Sequence, residues 1–93
     1  MMTTCQLIKK LEAALECAQA HNITAMNTIL DAVRDGSYDL SAKQSAFFVR
    51  AACAAVEHVS SALDPLSSIE SAMAAIKRVK DTAPQSEGDL TAA

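Results

Sequence analysis

Tryptophan is absent from this 93-residue chain, which also has only two Gly, two Pro, two Phe and one Tyr. So few glycines exclude the Gly-rich backbone cradles that hold phosphates and most nucleotide cofactors. So few helix breakers leave long helical stretches uninterrupted. No apolar run approaches the roughly 20 residues that span a bilayer. Lys9, Lys10, Glu12 and Glu16 break up the first segment, which argues against a signal peptide. Neither sign of charge dominates: 8 Lys and Arg against 11 Asp and Glu leave a net charge of −3. Nucleic-acid binders usually present a basic domain, so nucleic acid is not expected as a partner. The three cysteines, Cys5, Cys17 and Cys53, cannot all pair within one chain and lack the close paired spacing of a zinc site. A reducing, cytoplasmic compartment is the corresponding expectation.

Alanine is what the chain has in abundance, at 19 positions. It is the best helix former and loses almost no side-chain entropy on folding, so helices packed closely through small side chains are expected. Four such helices can be drawn. The first runs from Thr4 to Ala20 behind a Thr3/Gln6 capping box, with Leu7, Ile8, Leu11, Ala14, Leu15 and Ala18 as its apolar stripe. The second, capped by Asn22 or Thr24, carries Ile23, Met26, Ile29, Leu30 and Val33 to Asp35, and Gly36 is expected to close it in the left-handed conformation. The third opens at Ser41, with Gln44 completing a second capping box, and extends to Leu63. Phe48, Ala52, Val56, Val59 and Leu63 form one of its faces, and Phe47, Ala51, Ala54 and Ala55 another.

Asp64-Pro65 starts the fourth helix, with Ser67 and Glu70 as a competing start; Leu66, Ile69, Met73, Ile76 and Val79 line it. Lys77, Arg78 and Lys80 complement the negative end of its dipole. The expected fold is all-α: a small antiparallel four-helix bundle over residues 1–82, followed by a flexible acidic tail, 83–93.

Candidate chemistry is thin. His21 and His58 lack the Glu-x-x-His partners of a di-metal bundle, and no base flanks Cys17 or Cys53 to activate a thiolate. No catalytic residue, metal or cofactor is expected, and the chain reads as a non-enzyme. Between Phe47 and Val56 only Arg50 is charged, so the third helix carries more apolar circumference than a small core absorbs. The expectation is a protein-interaction module that acts by steric occlusion of a partner protein. Asp35, Tyr38 and Asp39 around the second loop, with Phe47 and Arg50, are its candidate contacts. Size, acidity and the lack of motifs suit an inhibitor encoded by a phage or mobile element, of the anti-defence or anti-CRISPR type. The alternative is a homodimeric adaptor or secretion chaperone joined through Ala51–Ala55.

Overall fold

Short polar side chains at the helix ends, and apolar stripes between them, build a bundle of four α-helices. The computed structural model describes residues 3–36 and 43–81. Helix α1 spans Thr4–Gln19, α2 Ile23–Asp35, α3 Lys43–Val59 and α4 Pro65–Asp81, with no strand among the described residues. The fold is the antiparallel bundle read from the sequence. The expected Ser41/Gln44 cap and the segment 83–93 lie outside the description, since Ser41 and residues 82–93 fall beyond it.

At the start of α1 the Thr3 hydroxyl accepts from the Gln6 N–H at 3.1 Å, while the Thr3 N–H donates to Gln6 Oε1 at 2.9 Å. The reciprocal pair satisfies two backbone donors that the helix leaves unbonded. At its end, the His21 N–H donates to the Ala18 carbonyl at 3.1 Å and the Asn22 N–H to the Cys17 carbonyl at 2.8 Å. These are the two bonds of a Schellman closure, and its left-handed residue is His21, at φ 59°. Asn22 then turns donor to acceptor: its Oδ1 accepts from the Ala25 N–H at 3.3 Å and caps α2. Thr24 is not the cap. Gly36, expected to be left-handed, is extended at φ −77° and ψ 152°. The chain needed a left-handed residue at the tight α1–α2 turn and placed a histidine there.

Helix α3 ends at Val59 rather than Leu63. Ser60 and Ser61 bond back through N–H groups and hydroxyls to the carbonyls of Glu57 and His58, which tightens the last turn and stops propagation. Leu63 is consequently fully exposed instead of completing a core face. Asp64 caps α4 through a 3.4 Å bond from the Ser67 N–H, with Pro65 at the first helical position, so the later Ser67 start is unused.

The core takes Leu7, Leu11, Ala14, Leu15 and Ala18 from α1, Met26, Leu30 and Val33 from α2, Val49, Ala52, Cys53, Val56 and Val59 from α3, and Ala72, Ile76 and Val79 from α4. Helices α1 and α3 each touch all three others, α1 with substantial contact to every one of them. Helix α3 packs mainly on α4 and α1. Helix α4 departs most from expectation. It turns Ser68 and Ala72 inward, and Leu66 and Met73, expected to line the core, stay 75% and 58% exposed. Small side chains let its axis approach the bundle, and the bulkier residues are left flanking the contact.

Candidate functional site

Phe47 and Phe48 stand side by side near the start of α3 and point in different directions, about 100° apart by helical geometry. Phe48 is half-buried against the core, whereas Phe47 is 66% exposed. Their rings meet edge to face, with centroids 5.7 Å apart and planes at 68°. Such a contact adds about 0.5–1.5 kcal/mol beyond area burial, so Phe48 holds the outer ring in a defined pose.

A cleft opens below the two rings. Phe47, Phe48 and Ala51 form its α3 wall; Ser71, Ala74, Ala75 and Arg78 form its α4 wall. Alanines on both sides keep it shallow and apolar, and Arg78 supplies a guanidinium at the rim. The α4 wall was invisible to a reading of α3 by itself. Its signal in the sequence is a second set of positions on α4, Ser71, Ala74 and Arg78, on the side of the helix away from Lys77 and Lys80.

The other expected contact residues are not gathered here. Asp35 is exposed at the last turn of α2, and Arg50 is exposed on α3; neither lines the cleft or forms an ion pair among the described residues. Tyr38 and Asp39 lie outside the described residues. The Ala51–Ala55 run does not present one face. Ala52 and Cys53 are buried, Ala55 is half-buried, and only Ala51 and Ala54 are exposed.

Arg34, unremarked in the sequence, ties α2 to α3. It bridges Asp31 at 3.4 Å on its own helix and pairs with Glu57 across the helix boundary. All three side chains are substantially exposed, so the network fixes orientation more than it adds stability. Burial pushes the Cys53 thiol above its ordinary pKa, and the nearby Arg34 charge only partly opposes this. Cys53 is therefore a neutral packing residue, not a nucleophile. Among the described residues no three His, Cys, Asp or Glu side chains assemble as a metal site, and no helix is long and apolar enough to cross a membrane. No family model matches the chain, and neither the curated proteins nor the solved structures contain a match to it.

Proposed function

We propose that this chain is a non-enzymatic protein–protein interaction module that acts by covering a partner's surface with the outer side of α3 and α4. The exposure of Phe47 at the mouth of the alanine-lined cleft carries this reading. Burying a Phe side chain fully is worth about 1.5–3 kcal/mol, so a ring left mostly in water, yet held against a neighbour, is an anchor awaiting a pocket. Arg78 at the cleft and Arg50 one turn from Phe47 supply the charge that would orient the partner. The mechanism is steric: the bundle sits where another molecule must bind. Its narrow form is a cytoplasmic inhibitor carried by a phage or mobile element, of the anti-CRISPR type, a form supported by size, acidity and motif-poor sequence.

Paired substitutions test the reading. Phe47→Ala should change stability by less than about 0.5 kcal/mol, because the ring is mostly solvated, while capture of the partner from the source cell's lysate falls at least tenfold. Phe48→Ala should cost about 2 kcal/mol, below the 3–5 kcal/mol typical of a fully buried ring. Undiminished capture by Phe47→Ala, read by quantitative mass spectrometry, would refute the cleft as the docking surface. A bound partner that retains full activity would refute occlusion.

A further inference from the structure

A second groove runs between α1 and α4, on a different side of α4 from the Phe47 cleft. Ile8, Leu15, Met73 and Ile76 make its apolar floor. One bank carries Glu12 and Glu16 from α1, and the other carries Lys77, Lys80 and Asp81 from α4, which leaves it net positive. Met73 is more than half exposed, and Leu66, seven residues earlier and thus on nearly the same side of α4, extends the apolar strip. None of these five charged residues forms an ion pair among the described residues, although they line one groove. No Glu–Lys contact closes across the groove within 4 Å.

From this arrangement we infer that the α1/α4 face pairs with a second copy of itself. A face divided into an acidic and a basic bank is complementary to its own copy. A two-fold axis lying in the face and passing between the banks sets Glu12 and Glu16 of each protomer against Lys77 and Lys80 of the other. The same operation brings Met73 of each protomer to the mouth of the other's groove and removes from water the side chains of Met73 and Leu66, which the monomer leaves exposed. Charge complementarity selects the second copy as occupant: this face already contains both halves of the match. The assembly leaves the Phe47 cleft free, so it is independent of the proposed partner contact and would present two such clefts at once.

Sedimentation equilibrium over a range of protein concentrations, at low and high salt, tests the inference. The wild-type chain should dimerise reversibly, and more weakly as salt rises. Glu12→Lys with Glu16→Lys, and separately Lys77→Glu with Lys80→Glu, should each weaken self-association at least tenfold. An equimolar mixture of these two variants should form a heterodimer, because one interfacial contact is then restored with reversed sign and the other is the native Glu–Lys contact. Acidic residues at the C-terminal end of α4 oppose its dipole, so Lys77→Gln with Lys80→Gln gives a second variant that weakens dimerisation with less risk to the fold. Circular dichroism confirms helicity in each. A wild-type chain that stays monomeric at millimolar concentration overturns the inference. So do a dimer indifferent to all these changes, reversed variants that fail to join when mixed, and a dimer abolished by Phe47→Ala instead.

Discussion

The two hairpins of this bundle are built to different ends. The α1–α2 hairpin closes with three residues, shares Asn22 between the end of one helix and the cap of the next, and sends six leucine, methionine and valine side chains into the core (Leu7, Leu11, Leu15, Met26, Leu30 and Val33). The α3–α4 hairpin packs through the β-branched Val49, Val56, Val59, Ile76 and Val79 together with the small Ala52, Cys53, Ser68 and Ala72, and holds Phe47, Leu63, Leu66 and Met73 in solvent. Ile23 is the only large hydrophobic side chain exposed in the first hairpin among the described residues. Long side chains unbranched at Cβ therefore fare differently in the two halves. In the first the leucines and Met26 are buried; in the second the β-branched residues and small ones fill the core, and Phe47, Leu63, Leu66 and Met73 are left over for contact.

That contrast can be broken at Leu11, where the largest effect is expected. Leu11 is fully buried on α1, which packs against all three other helices, and Leu11→Ala should cost about 2–5 kcal/mol. A domain of this size is stabilised by only about 5–10 kcal/mol, so much of the margin would be lost. Met73→Ala, the same kind of truncation on the exposed strip of α4, should change a urea melt by less than about 0.5 kcal/mol at a concentration low enough to keep the chain monomeric. Similar losses at the two positions would erase the distinction between the hairpins.

How far the sequence alone reveals this division depends on the range of the forces involved. Helix α1 is legible because everything that defines it is local. Its leucines recur at helical spacing, and Thr3 and Gln6 stand three residues apart. The faces of α4 are not. Hydrophobicity places Leu66 and Met73 inside, yet the close approach of α3 favours burying Ser68 and Ala72, and no local pattern contains that interhelical distance. The candidate site divides in the same way. Phe47 and Arg50 lie on one helix and can be read from its apolar excess. The opposite wall at Ser71, Ala74 and Arg78 exists only once α3 and α4 are paired. The early end of α3 had a local cause in Ser60 and Ser61, whose hydroxyls compete for backbone carbonyls, but apolar periodicity through Leu63 masked it.

A gentler change sharpens the picture of the first hairpin. Thr4 is buried at the first position of α1, and its hydroxyl has no hydrogen-bond partner among the described residues. Valine has nearly the same shape without that hydroxyl. Thr4→Val should raise stability by about 1 kcal/mol, because a buried polar group without a partner is replaced by one that needs none. Loss of stability on that substitution, measured by urea denaturation, would mean that the hydroxyl is satisfied in solution.

The smallest expected effect concerns the turn that makes the first hairpin tight. His21 sits at φ 59°, where a side chain with a Cβ is held at a cost and glycine is not. His21→Gly relieves that cost but also gives the unfolded chain more freedom, which offsets part of the gain. The net stabilisation should be about 0.5 kcal/mol, a rise of roughly 2–4 °C in Tm for a domain of this length. Gly36 supplies the control, because its φ is negative and an alanine can adopt it without strain. Gly36→Ala should leave Tm unchanged or raise it slightly, by restricting the unfolded chain. If His21→Gly lowers Tm while Gly36→Ala also lowers it, the left-handed closure belongs at the glycine after α2, and the three-residue reversal between α1 and α2 is wrong.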